Sequence, residues 1–520
     1  MGNKWLRWLV VSAFIFKSIL ACITELNNDE AYYRLYALKL QWNYFDHPPM
    51  IAVLLKLFTV NLFFQNDFFL RLGILVCSAV STWLVYLIGK RINDEQTGLL
   101  AAFLFVASPY CSIIAGLLLI PDGPQLVWWL WSVLLMLKII GAEQNGPATR
   151  NRLLLLGLGI GCCVMSKIHG VFLWVGFFMY ILLYRRKLLA NPFLYCAMLI
   201  SAVVISPILF WNLSNHFISY RYHSNRVHFF NGLQADSLLR EITGEALYNN
   251  PIVFVLLVLA LAAFARKRIF LPLPEQRLLF LLAFPLIAVV IIISLFNDTL
   301  PHWTGPAYTT LIPFTAAWLR SKQKIMEQGR IPRIVKWAVA FTGILLIPAV
   351  GAIKALPLNI GNKQWERLGA GDPTLDMNGF KAIAPRLDSL YQSDIKNGSI
   401  HKDPFLLADY WFPAAHIDYY IARPYHFRFL AFGGGAAIHQ YAWINAERPF
   451  LQPGDDAYFI VVSNYFNPPA APLAARFESV SAPVAITQYR SGVAVRNFFI
   501  YRLRNYKGGL PRNGVLETGK

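Results

Sequence analysis

An acidic pair, Asp29-Glu30, follows the first long apolar run of the chain and leads into Ala31-Tyr32-Tyr33. A carboxylate at a membrane interface can take the proton of an incoming hydroxyl. The same pair can also cap the helix that follows. Next comes Tyr44-Phe45-Asp46-His47-Pro48-Pro49-Met50, where two prolines stiffen the backbone behind an acid and an imidazole. Asp46 and His47 have the chemistry for a divalent metal or a phosphate; the plain alternative is a rigid turn. Pro121-Asp122-Gly123-Pro124 sets a carboxylate between two apolar segments. An ionisable group beside hydrocarbon is costly and points to function, although Asp-Gly and Gly-Pro are also turn signals. Ser166-Lys167-Ile168-His169-Gly170 ends an apolar block with an ammonium suited to an anionic phosphate. Snorkelling to the interface is the alternative for Lys167. The stretch from Trp211 to Arg226 adds Asn212, His216, Arg221, His223 and Arg226, several of them cations suited to clamping a lipid phosphate; a solvated loop is the alternative. Pro301-His302-Trp303 adds one more imidazole.

These groups need elements to hold them. Of 520 residues, 56% are hydrophobic and 14% are charged, whereas a soluble domain carries about 25% charged residues. That excludes an ordinary soluble domain and points to helices that face lipid, at roughly 20 apolar residues each. The formal net charge is +19. The basic residues sit in short runs between apolar segments, so they read as orientation signals rather than nucleic-acid contacts. Apolar length and the positive-inside rule together predict about eleven spans. They fall at roughly 5–23, 68–89, 97–119, 123–140, two within 153–184, 192–211, 250–265, 277–296, 303–319 and 336–355. The apolar stretch 48–64 contains Lys56 and reads as lying along the interface.

With the N-terminus cytoplasmic, the Arg/Lys clusters between spans fall on one side. The chemical motifs then fall on the other. The first apolar run shows no convincing small-residue cleavage site and reads as an uncleaved span. The six cysteines lie in or beside apolar segments and read as packing residues. From about Pro357 the composition turns polar. Runs at 405–408, 458–462 and 498–501 predict strands, and 379–390 predicts a helix, so the tail reads as a small α/β domain. Phe432-Gly433-Gly434-Gly435 is not convincingly set between a strand and a helix, so it is discounted as a nucleotide loop. The domain expectation is a membrane domain over 1–355 and a soluble domain over 356–520.

The order of these motifs resembles a known family: the acidic pair, Phe-Asp-His-Pro-Pro, Pro-Asp, Ser-Lys, Trp-Asn and His-Trp. It is similar to the bacterial GT-C glycosyltransferases of the dolichyl-phosphate-mannose protein mannosyltransferase superfamily, and closest in style to the lipid A aminoarabinose transferase branch. The resemblance covers roughly residues 1–320. It implies an all-α polytopic membrane domain with a C-terminal α/β periplasmic domain. It implies an inverting transfer from a polyprenyl-phosphate sugar to a lipid A, other glycolipid or glycan acceptor, in a bacterial inner membrane with the site facing the periplasm. By match, Asp29 is the catalytic acid of the first outer loop and Asp122 is the second. Asp46 stands where that branch has a metal-binding glutamate, and His47 replaces a phosphate-contacting lysine.

The expected substrate-contacting set is Glu30, Tyr33, His47, Lys167, His169, Asn212, Arg221, Arg226 and His302, with Asp46 as metal ligand. A divalent metal ion is the possible cofactor, and no nucleotide is needed, because a sugar on a lipid phosphate is already activated. Partners are the polyprenyl-phosphate donor, the acceptor and membrane lipid, without nucleic acid. A protein O-mannosyltransferase is the alternative within the class. A transporter of lipid-linked sugars is the alternative outside it, and would favour an internal repeat; none is evident.

Overall fold

The computed structural model describes residues 2–143, 146–224, 232–323 and 330–516. Its contacts divide the chain into two compact units. The first comprises Met1–Ile19 and Leu40–Leu346; the second comprises Leu20–Lys39 and Ile347–Lys520. The segment Leu20–Lys39 folds with the C-terminal residues.

The first unit is helical. Seven helices are long and apolar enough to cross a membrane, and an eighth counts if the bent pair Ala235–Tyr248 and Pro251–Ala265 is one span. A helix lies at each of the eleven expected positions, but in the expected span 97–119 it ends at Ala107 and gives way to the π turn Tyr110–Ile114. The other four are Glu95–Ala107, Val171–Tyr184, Pro251–Ala265 and Gly305–Lys322, which are shorter or less apolar. The helix Met50–Phe58 is too short to span. It is followed by Val60, Asn61 and Leu62, all with positive φ. Polar residues at the joints start the helices: Asn66 and Asp94 side chains accept from Phe69 N and Thr97 N, each such cap contributing about 1 kcal/mol. Small residues let helices close in. At Gly157 a Cβ would lie 2.3 Å from the Ala197 carbonyl oxygen, so the helices Pro147–Ser166 and Pro192–Ser214 touch backbone to backbone. The helix Asp122–Ile140 is the most enclosed of the seven, with 78% of its apolar window buried. Trp129 Nε1 donates to Thr310 Oγ1 at 2.7 Å and ties it to the helix Gly305–Lys322.

The second unit carries a six-stranded sheet. The strands are β1 (Phe405–Ala408), β2 (Arg428–Ala431), β3 (Ala457–Val462), β4 (Phe477–Val480), β5 (Val484–Arg490) and β6 (Val493–Tyr506). β1 pairs in parallel with β2 and β3; β3 pairs antiparallel with β6. β4 and β5 share the other edge of the long β6. All six residues of β3 are buried, as a central strand requires. Ser491 and Gly492, both at positive φ, close the β5–β6 hairpin. The expected strands are all present, and the expected helix runs Phe380–Lys396. The glycine run does follow a strand, β2, but it leads only into the four-residue helix Gly435–Ile438, too short to cradle a phosphate.

Candidate functional site

In the first unit, six residues from four separate stretches of the sequence converge. Asp122 is the first residue of its helix and is 2% exposed. Lys167 lies just past the end of the helix Pro147–Ser166 in an extended conformation, which turns its ammonium back into the unit. Its Nζ lies 3.0 Å from Asp122 Oδ1 and 2.9 Å from Oδ2. Tyr110 donates its hydroxyl to Asp122 Oδ1 at 3.2 Å. His169 sits two residues after Lys167, with its ring 6.1 Å from that of Trp303. His302 lies in the short turn Pro301–Thr304, its ring 6.3 Å from Tyr248. His47 closes the group, its ring 6.3 Å from that of His223.

The electrostatics join them. Burial, then the Lys167 ammonium, lowers the His302 imidazole to about 4. Burial, then Lys167 and His223, holds His47 well below its ordinary value. The set therefore has one charged pair and neutral imidazoles around it at neutral pH. An incoming phosphate adds negative charge, which attracts Lys167 and favours protonation of those rings.

The second unit holds the acidic pair. Asn27 and Glu30 form a capping box: Asn27 N donates to Glu30 Oε2 at 2.9 Å and Glu30 N to Asn27 Oδ1 at 2.8 Å. Glu30 is fully buried in that role. Tyr33 is buried against the rings of Tyr32 and Tyr36. Asp29, one residue earlier, is exposed.

The remaining expected residues are more scattered. Asn212 is buried, and its Nδ2 donates to Ile208 O at 3.0 Å. Arg221 is exposed on the helix Ile218–Ser224. Arg226 lies outside the described residues. The Asp46 backbone oxygen accepts from His223 Nε2 at 2.9 Å.

The comparisons agree with this architecture. The sequence matches the family described as Dolichyl-phosphate-mannose-protein mannosyltransferase over residues 46–211. It is 22% identical over 300 residues to the lipid A galacturonosyltransferase RgtD of Rhizobium johnstonii, which covers 57% of this chain. The chain spans 61% of the length of that curated relative. The fold is similar to ArnT from Cupriavidus metallidurans, with TM-scores of 0.60 for the apo structure and 0.63 for the structure bound to undecaprenyl phosphate. Those matches cover 96% of this chain and 98% of that one, at 13% and 12% identity. The chain has the GT-C fold seen in ArnT.

The family match contains Asp46, His47, Asp122, Lys167 and His169 of the GT-C chain and stops one residue before Asn212. Asp29 and His302 lie outside it. Among the described residues, no group of three or more His, Cys, Asp or Glu side chains is placed to hold a metal ion. The GT-C chain also uses residues that the motif reading missed. Tyr110 holds Asp122, and its only signal was a hydroxyl within an apolar run. Lys17 is buried in the first helix, with Nζ 2.6 Å from Ser78 Oγ. A lone cation inside an apolar span was its signal.

Proposed function

We propose that this chain is an inverting glycosyltransferase. It moves a sugar from a polyprenyl-phosphate donor to an envelope acceptor, lipid A or another glycolipid. The observation that carries the reading is the enclosed Asp122–Lys167 pair ringed by His47, His169 and His302. That arrangement suits a phosphate that gains charge as the sugar leaves it. A fold shared with an undecaprenyl-phosphate-bound protein supports the donor class, and a lipid A-modifying relative supports the acceptor class. The site faces the periplasm of the inner membrane, as the positive-inside rule requires.

In this reading the acceptor hydroxyl attacks the anomeric carbon from the side opposite the phosphate. The C–O bond to the phosphate breaks and polyprenyl phosphate leaves. Asp29 takes the hydroxyl proton, and Lys167 with the imidazoles balances the phosphate. The test is transfer in proteoliposomes from undecaprenyl-phosphate sugars, galacturonic acid first, to lipid A. Asp29→Asn is expected to abolish transfer while expression stays intact; full activity in that variant removes Asp29 from the mechanism. Mass spectrometry of envelope lipids with and without the gene checks the acceptor. Lost glycopeptides with unchanged glycolipids would favour a protein acceptor instead.

A further inference from the structure

We propose that the C-terminal domain is the positioning device for the Asp29 carboxylate, gripping the chain through a His416–Asn28 clamp. The inference rests on the reading of Asp29 as the base. Asn28 immediately precedes Asp29 and opens the helix Asn28–Leu38. Its Oδ1 lies 2.9 Å from His416 Nε2. A carboxamide oxygen only accepts, so Nε2 carries the proton and Nδ1 is bare. Nδ1 is buried with no hydrogen-bond partner, which fits that tautomer. The Asn28 side chain also bonds Asp376 and Tyr465, and Tyr465 in turn donates to Asp376 Oδ1 at 3.3 Å. One amide is thus held from both ends by residues far along the chain.

The grip extends to either side. His416 stacks on Phe380 at 4.1 Å with the rings 6° apart, and the Arg496 guanidinium lies 4.2 Å from the Phe380 ring centre. Phe380 N donates to Glu25 Oε2 at 2.9 Å, and Leu26 N donates to Tyr420 Oη at 2.6 Å. Beyond Asp29, Tyr32 packs its ring 4.9 Å from Trp411 and accepts from Gln440 N at 3.3 Å. From Glu30 to Ala37 every residue is buried, while Asp29 is exposed. A single exposed carboxylate between anchored neighbours is one whose orientation is set before substrate arrives. Burial and Arg496 lower His416 to about 3, so the clamp stays in one protonation state across the working pH range.

The test compares Asn28→Ala, His416→Ala and His416→Gln with Asp29→Asn. Transfer from undecaprenyl-phosphate galacturonic acid to lipid A is measured in proteoliposomes, with melting midpoints in detergent alongside. Positioning predicts a kcat lowered about 100-fold in both alanine variants with donor KM unchanged. It also predicts recovery in His416→Gln, whose amide can still donate, and a displaced acid limb of the kcat–pH profile in Asn28→Ala. If Asp29→Asn is inactive but Asn28→Ala behaves as wild type, the inference is wrong and the base assignment survives. An active Asp29→Asn overturns both. Should His416→Ala fail to fold, Asn28→Ala decides alone, because it leaves every stacked ring in place.

Discussion

Lys167 Nζ sits between the two carboxylate oxygens of Asp122, 3.0 and 2.9 Å away, with 6% and 3% of the two side chains exposed. Breaking an enclosed pair by removing one partner leaves the other charge buried alone, at a cost of about 3–5 kcal/mol. Lys167→Met and Asp122→Asn are each expected to lower the melting midpoint and to stop transfer. The double variant Asp122→Asn/Lys167→Met is expected to regain most of the stability and none of the activity. Melting and transfer assays on the three proteins check this. Simple addition of the two single losses would show that the residues do not act as a pair.

Buried imidazoles, His302 and His416 among them, make stability depend on pH. His302 is lowered to about 4 by burial and Lys167, partly opposed by Asp122; His416 is lowered to about 3 by burial and Arg496. The unfolded chain takes up these protons near 6.5, so between that value and the folded one it binds more protons than the fold. Stability is therefore complete above about pH 6.5 and falls as pH drops below it. The loss grows to about pH 4 for His302 and about pH 3 for His416. His302→Gln and His416→Gln are each expected to flatten part of this slope in melting midpoints taken across pH 3 to 7, a range set by those two values.

The parts of this structure that were legible in the sequence share a cause. Bilayer thickness forces long apolar runs, so the long apolar helices fall where spans were expected. Buried charge is costly, so Asp122 and Lys167 announced themselves as motifs. Their pairing was not legible, because nothing in a local window couples residues 122 and 167. Glu30 shows the opposite limit. An Asp-Glu pair at a helix start serves capping and catalysis with the same letters, and only the Asn27–Glu30 geometry assigns Glu30 to the cap. From the sequence, Leu20–Lys39 belongs to the membrane domain, as the end of its first span and the loop after it. Its anchors, such as Tyr420 and His416, lie hundreds of residues away, beyond any sequence-local signal.

His47 offers a direct test of phosphate binding. The family resemblance puts a lysine at this position, and here the imidazole sits among Lys167, His223, Asp122 and His169. An imidazole held neutral by burial and Lys167 can contact a phosphate as a neutral donor, whereas a lysine brings a full charge. His47→Ala is expected to raise the donor KM about tenfold, the loss of roughly one charge-assisted hydrogen bond. His47→Lys is expected to keep transfer while lowering the melting midpoint, because it adds an ammonium beside Lys167. Steady-state kinetics against donor concentration separates these outcomes. Equal KM in all three proteins would remove His47 from the donor site.

Gly305 controls Tyr110 through space alone. A Cβ at Gly305 would lie 2.2 Å from carbons of the Tyr110 ring, which is fully enclosed and whose hydroxyl reaches Asp122. Gly305→Ala must therefore push the ring, and overpacking of this kind costs about 1–3 kcal/mol. Tyr110→Phe removes only the hydrogen bond, worth about 1 kcal/mol. The expected order of melting midpoints is wild type, then Tyr110→Phe, then Gly305→Ala. Transfer is expected to fall in the same order, because the displaced ring disturbs both Asp122 and its pairing with Lys167. A Gly305→Ala protein that melts and transfers like wild type would mean the ring relaxes freely, and Tyr110 would then be a packing residue with no hold on the carboxylate.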